Sequence, residues 1–296
     1  MHYPQDQRLL DAADALGLLV WEEITGWGLT SSTLSVRRSA ALQPTRPRSR
    51  VRAPPPPSPL PSAAPSRAVP PQDRGWLAAQ HAALDRMISR SFNHASVAVF
   101  GLPNEAATSS AASESAFASL AGAMRARRSG RLLSWATNKP KADRNLKLGD
   151  LVSVNHYPGW YDGPVEGIGR FWKEQAAWAR AHHPSRPFLI AETGASGRSG
   201  WRNGSRALRW SEEMQEEIVR RDVDAALALD DVAGVCVWQL FDVRVDAKHW
   251  PAAKRPGGLN NKGVLSQWRE PKLAAQSVQR LFRGSTGDAV SSRGYT

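Results

Sequence analysis

The sequence predicts an α/β fold built on a parallel sheet, of the (β/α)8 TIM-barrel type. Short apolar, β-branched runs alternate with longer segments of helical periodicity along most of the 296 residues. That is the pattern of strands buried on both faces and joined by crossover helices. The glycine patterns "GLPNE" and "GASGRSG" lack the GxGxxG or GxxxxGK[ST] spacing of a doubly wound nucleotide-binding sheet, which favours the barrel. The apolar runs also close on polar residues, and in barrel enzymes the C-terminal ends of strands carry the catalytic and binding groups.

Taken in order, the first element is a helix over Gln7 to Leu16, with Asp6 as N-cap and Gly17 just past its end. The first strand lies in "LGLLVWEEI" (16 to 24) and ends in Glu22-Glu23. A helix over Trp76 to Ser91 leads to "SVAVFGL" (96 to 102), which closes on Asn104-Glu105. A helix from Glu114 to Arg127 precedes "RLLSWAT" (131 to 137), ending at Asn138. The run "DLVSVNHY" (150 to 157) ends in Asn155-His156-Tyr157. A helix from Gly169 to His182 precedes "RPFLIAE" (186 to 192), closed by Glu192. The helix over Ser211 to Leu227 has Glu212 and Glu213 in its first turn, where the helix dipole favours acids. It leads to "VAGVCVWQLF" (232 to 241), whose polar end is Gln239 to Asp242.

Composition bounds the partners. No stretch reaches the roughly 18 consecutive apolar residues of a membrane helix, so no membrane partner is expected. No targeting segment is visible at the N-terminus, and the compartment stays open. The single cysteine, Cys236, sits in an apolar run and reads as a buried structural thiol. The net charge is +12, but seven of those charges are Arg37, Arg38, Arg46, Arg48, Arg50, Arg52 and Arg67, leaving +5 for the rest of the chain. These arginines stand in a Pro/Ser-rich stretch without acidic residues, which cannot bury enough apolar surface to offset its ordering entropy. It reads as a disordered insertion. A nucleic-acid arm or a ligand for a proline-binding domain finds no support in aromatic interleaving or a compact basic face, so no nucleic-acid partner is expected.

Two carboxylates stand out because each closes a fully apolar strand: Glu105 and Glu192. A carboxylate at the end of a buried strand is costly unless paired or used. Glycoside hydrolysis uses such a pair, one protonated to assist the leaving oxygen and one ionised to attack or activate water at the anomeric carbon.

The text "HYPQDQRLLDAADALGLLVWEEI", "NHASVAVFGLPNEA", "DLVSVNHYPGWYDG", "RPFLIAETGAS", "VWQLFDVRVD" and "GGLNNKGVLSQWREPKLAA", six matches in order, resembles the catalytic barrel of glycoside hydrolase family 2. That family includes β-glucuronidases, β-galactosidases and β-mannosidases. The resemblance implies Glu192 as nucleophile and Glu105 as acid/base, about 5–5.5 Å apart in a retaining enzyme. It also implies Asn104 on the sugar 2-hydroxyl and Tyr157 beside the nucleophile. Trp160, Tyr161 and Trp238 match aromatic residues lining the sugar site, although tryptophan is also common core filling. Neither metal nor cofactor is implied; the expected partner is a β-glycoside, and a homo-oligomer is compatible with the family.

In β-glucuronidases an Asn-x-Lys motif binds the sugar carboxylate, and Asn260, Asn261 and Lys262 have that spacing. A lysine ammonium suits a carboxylate; the other reading is a Gly/Asn-rich turn with an exposed lysine. The resemblance therefore implies a retaining β-glucuronidase, with β-galactosidase or an inactive remnant as alternatives. The chain departs from the family at Thr193, where an aromatic often follows the nucleophile, and at Ala95, where proline is usual. The family's first two barrel strands and its preceding β-sandwich domains have no counterpart, so a truncated barrel is expected. The expected boundaries are a barrel segment over 1–28, the disordered insertion over 29–72, the rest of the barrel over 73–284 and a disordered tail over 285–296.

Overall fold

A computed structural model describes residues 2–26, 74–204, 207–246 and 255–291. The expected disordered insertion at 29–72 lies outside the described residues. The backbone divides into two compact units, one of residues 1–131 and 142–148, the other of residues 132–141 and 149–296.

The first unit opens with α1 (Gln7–Leu16). The Asp6 side chain accepts from the Arg8 amide, and Gly17 adopts φ 66° while its amide caps the carbonyls of Ala13 and Asp14. Both ends form as the residue types dictate. Strand β1 (Val20–Glu23) pairs in parallel with β2 (Val97–Gly101), with Glu22 opposite Phe100 and Glu23 opposite Gly101. Helices α2 (Arg74–Ser91) and α3 (Ala111–Ala126) supply the crossovers. Leu10, Leu84, Met87, Ile88, Phe100, Phe117 and Leu120 are fully or almost fully buried here. The apolar periodicity of the helices and the unbroken β2 run thus form one core.

The second unit holds β3 (Leu132–Ser134), β4 (Ala136–Thr137), β5 (Val152–Asn155), β6 (Phe188–Thr193) and β7 (Val232–Val237). The last four form one parallel sheet in the order β4-β5-β6-β7. Helix α4 (Ile168–His182) joins β5 to β6, and α5 (Glu212–Leu227) joins β6 to β7. The α5 N-terminus is capped by Ser211, whose hydroxyl oxygen accepts from the Met214 amide. All of β5 is buried, as expected of a strand covered on both faces.

Strand β7 departs from the expectation. Among the described residues it pairs only with β6, and Cys236 is exposed rather than buried. A strand with one open edge cannot cover every side chain of an apolar run, so composition alone misplaced the thiol.

An antiparallel ribbon of β8 (Val243–Arg244) and β9 (Leu259–Asn260) follows. Helix α6 runs Leu273–Ser291, so the backbone stays helical beyond the expected boundary at 284; residues 292–296 lie outside the described ones. Its apolar Ala274, Val278 and Leu281 pack with Val219, Val223 and Val264, which explains why this C-terminal stretch continues as a helix. No described helix is long and apolar enough to cross a membrane.

Candidate active site

Glu192 is the next-to-last residue of β6, opposite Asn155 of β5. It is 9% exposed. The Tyr157 hydroxyl donates to Glu192 Oε2 at 2.5 Å, while the Glu192 carbonyl accepts from the His156 amide at 3.0 Å. The two neighbouring strand ends therefore fix both the main chain and the carboxylate of Glu192. A hydrogen bond from a phenol to a carboxylate fixes the orientation of that group.

Thr193, next in the chain, turns to the other face of the sheet. Its hydroxyl donates to Asp222 Oδ2 at 2.8 Å, and the Trp172 indole donates to Oδ1 at 2.8 Å. Asp222 is completely buried, and burial pushes its carboxyl up to about 7 against the pull of these two donors. The Thr193 carbonyl also accepts from the Trp238 amide at 2.8 Å. Trp238 is half-buried at the end of β7 and begins a cis peptide bond to Gln239.

Beyond β5, the turn Pro158 to Tyr161 carries the aromatic pair named from the sequence. Trp160 is buried at 3% exposure, whereas Tyr161 is 55% exposed. Together with Tyr157 they surround Lys262, whose ammonium lies 5.0 Å from the Tyr157 and Trp160 ring centroids and 4.5 Å from that of Tyr161. Lys262 Nζ donates to the Tyr161 hydroxyl at 3.0 Å and the Ser196 hydroxyl at 3.4 Å.

Lys262 is only 2% exposed, which rules out a solvated turn lysine. Among the described residues it makes no ion pair; its polar partners are the two hydroxyls. Burial holds its ammonium down at about 6, with repulsion from Arg255 and Arg209 in the same direction and attraction from Glu192 opposing. A buried cation surrounded by ring faces and hydroxyls is an expensive arrangement unless an anion joins it.

The turn that presents Lys262 is braced from below. Lys272 Nζ donates to Asp242 Oδ1 at 2.8 Å, to the Gly197 carbonyl at 2.6 Å and to the Asn261 carbonyl at 3.2 Å, all buried. Asp242 Oδ1 also accepts from the Gly263 amide at 2.9 Å. Gln215 of α5 donates to the carbonyls of Ala195 and Gly263 at 3.0 and 2.9 Å. A Cβ at Gly263 would lie 2.2 Å from the Asp242 nitrogen, so the residue after Lys262 must be glycine. Asn260, in β9, is half-buried and opposite Val243.

The other two residues singled out in the sequence belong to the first unit. Asn104 is 2% exposed and Glu105 is half-buried, both just past the end of β2. Glu105 has φ 48°, a left-handed backbone that a glutamate adopts only when its surroundings impose it. At the end of the neighbouring β1, Glu22 and Glu23 are also buried. The Gln5 amide donates to Glu22 at 3.0 Å, and His2 Nδ1 stands 3.3 Å from Glu23.

Arg255, Arg209, Asp222 and Lys272 escaped sequence reasoning. Arg255 precedes the short turn Pro256–Gly258 and Arg209 lies in the loop between β6 and α5, so no periodicity marks either. Asp222 and Lys272 are charged residues on helices, where solvent exposure is the ordinary expectation.

Comparison with known proteins bears on the family of this chain. The family model described as "Glycosyl hydrolases family 2, TIM barrel domain" matches residues 1–284. A β-glucuronidase of Paenibacillus borealis is 27% identical over 293 residues, covering 97% of this chain and 42% of that protein. A β-glucuronidase of Rattus norvegicus is 24% identical over 292 residues, covering 95% and 37%. The crystal structure of a GH2 β-galacturonidase from Eisenbergiella tayi bound to galacturonate superposes with a TM-score of 0.76 at 27% identity, covering 95% of this chain and 43% of that one. The chain thus spans less than half the length of these relatives.

Proposed function

Since this chain belongs to glycosyl hydrolase family 2, through its TIM barrel domain, we propose that it acts as a retaining β-glycosidase on β-linked hexuronides, with glucuronides as the first candidates. Glu192 attacks the anomeric carbon as the bond to the leaving oxygen breaks and Glu105 protonates that oxygen. The glycosyl-enzyme ester is then opened by water, which gives its proton to Glu105, and the sugar leaves with its configuration retained.

Tyr157 holds the Glu192 carboxylate in register for attack. Asn104 is assigned to the sugar 2-hydroxyl, a contact that strengthens as the oxocarbenium-like transition state forms. Trp238 is assigned to a wall of the same sugar site, and Asn260 with Lys262 to the sugar carboxylate.

One observation supports the uronide reading over a neutral hexoside: the buried Lys262 ammonium in its cage of Tyr157, Trp160 and Tyr161. Tyr157 touches both the nucleophile and the cage, so a sugar whose C1 meets Glu192 can extend its C6 carboxylate toward Lys262. The test is turnover of 4-nitrophenyl β-glucuronide and β-galactoside by the wild type and Glu192→Gln. Faster hydrolysis of the glucuronide, lost in the variant, is expected. Equal or greater rates on the galactoside would overturn the uronide assignment.

The stretch 29–72 takes no part in this chemistry. Its deletion should leave glucuronide turnover in place.

A further inference from the structure

Near the end of the loop between β6 and α5 stands Arg209, a residue given no part in the chemistry above. Its guanidinium carbon lies 3.9 Å from the Trp160 ring centroid and 5.8 Å from that of Trp210. Nη1 donates to the Trp160 carbonyl at 3.0 Å. Trp160 is therefore gripped by one side chain at both its ring and its main chain. The same indole carries the Lys262 ammonium at 5.0 Å.

The backbone beside Arg209 is set for this contact. Trp210 has φ 76°, a left-handed conformation that a bulky residue adopts only when its surroundings impose it. Its ring meets Trp160 edge-on at 5.1 Å, and its carbonyl accepts from the Arg198 amide at 2.8 Å. A strained tryptophan held by two contacts, next to an arginine stacked on the cage wall, is the kind of outlier from which a role in the site can be inferred.

Charge points the same way. Among the described residues Arg209 makes no ion pair; its one hydrogen bond uses a single donor of the five on a guanidinium. The guanidinium stays charged at every working pH. Lys262 does not, since burial lowers it to about 6. Before a sugar carboxylate reaches Lys262 and favours its protonated form, the permanent positive charge around the cage rests on guanidiniums, of which Arg209 is the one stacked on its wall.

We propose that Arg209 is a positioning and specificity-determining residue of the Lys262 subsite: it fixes the Trp160 wall and adds the permanent positive charge that favours anionic over neutral sugars. This rests on the hexuronide reading of the site. Arg209 sits at the surface, so its replacement should not disturb the core, and Arg209→Lys separates charge from the planar, stacked fork.

The experiment compares the wild type, Arg209→Gln and Arg209→Lys in two ways. One is kcat/KM on 4-nitrophenyl β-glucuronide and β-galactoside; the other is calorimetric affinity for glucuronate and glucose. Arg209→Gln is expected to lower the glucuronide-to-galactoside ratio of kcat/KM about tenfold, through KM, and to weaken glucuronate binding by a similar factor. Arg209→Lys should recover part of that loss. A wild type that binds glucuronate no better than glucose overturns the uronide reading and this inference with it. A wild type that selects glucuronate, with Arg209→Gln selecting it equally well or losing both substrates alike, overturns the Arg209 assignment alone.

Discussion

Replacing Lys262 by methionine separates what the lysine does for binding from what it does to stability. Methionine fills a similar volume and packs well on aromatic rings, so the cage of Tyr157, Trp160 and Tyr161 keeps its shape while losing the ammonium. A hydrogen bond to a charged group contributes about 1.5–3 kcal/mol. Its loss should lower kcat/KM on an aryl β-glucuronide by about 10- to 150-fold, with a much smaller change on the galactoside. Stability should move the other way. In the folded chain Lys262 titrates near 6, against 10.5 when unperturbed. Between those values the unfolded chain holds the extra proton, so the wild type gains stability as pH rises from 6 toward 10. Below 6 the folded protein must keep the charge buried. The methionine variant lacks this slope; its gain in Tm is therefore largest at or below pH 6 and shrinks as pH rises. Thermal unfolding from pH 5 to 9, beside steady-state kinetics on the two glycosides, measures both effects. A variant that hydrolyses the glucuronide as well as the wild type, or whose Tm difference is flat with pH, would refute the reasoning.

Three other perturbations address neighbouring groups. Tyr157→Phe removes the phenol that holds Glu192 Oε2 and should lower kcat by about 10- to 100-fold; a stopped-flow burst assay with an aryl glycoside would show whether the glycosylation step carries the loss. Glu105→Ala should cost about 10²–10⁴-fold on substrates with poor leaving groups and less on activated aryl glycosides, and added azide should restore turnover by forming a β-glycosyl azide detectable by mass spectrometry. For Asp222, raised to about 7 from 3.8, the folded chain holds the extra proton between those values, so the wild type loses stability as pH rises across that window. Asp222→Asn cannot titrate and leaves one of the two donors, Trp172 or Thr193, without a carboxylate oxygen; denaturant titrations should show its deficit shrinking from pH 4 to pH 8, and a deficit that grows would contradict this account.

The strand ends were legible because chemistry and periodicity coincide there. An apolar run can be read as a strand from its period, and a glutamate closing it is conspicuous because nothing apolar explains it. Glu105 and Glu192 were singled out this way and Tyr157 by the resemblance to the family, and α1 and α5 were bounded by caps that formed as read. Cys236 was misjudged because burial of an apolar strand depends on both edges being paired, which no local window reports. Helix α6 was missed as an element because "EPKLAAQSVQRLF" shows only a sparse apolar face, which becomes decisive once Val219 and Val223 cover it. Arg209 and Arg255 were invisible for a different reason. Arginine in a loop is ordinary, and only three-dimensional proximity to Lys262 gives these two a meaning.

The two readings of the motif around Lys262 differ in what they ask of its supporting bonds. "NNKG" satisfies a turn as well as a binding site, and the glycine alone cannot discriminate, since Gly263 is required sterically by the Asp242 backbone. What discriminates is the direction of the supporting bonds. Lys272, Asp242 and Gln215 spend their hydrogen bonds on the turn's main chain, so the turn is rigid without help from Lys262. A lysine not needed to hold its own turn, and costly to bury, would ordinarily swing to solvent. Here it points instead into a cage whose Tyr157 is bonded to Glu192. The brace therefore holds the ammonium at a fixed place relative to Glu192, which is what the proposed recognition of a carboxylate on the reacting sugar requires.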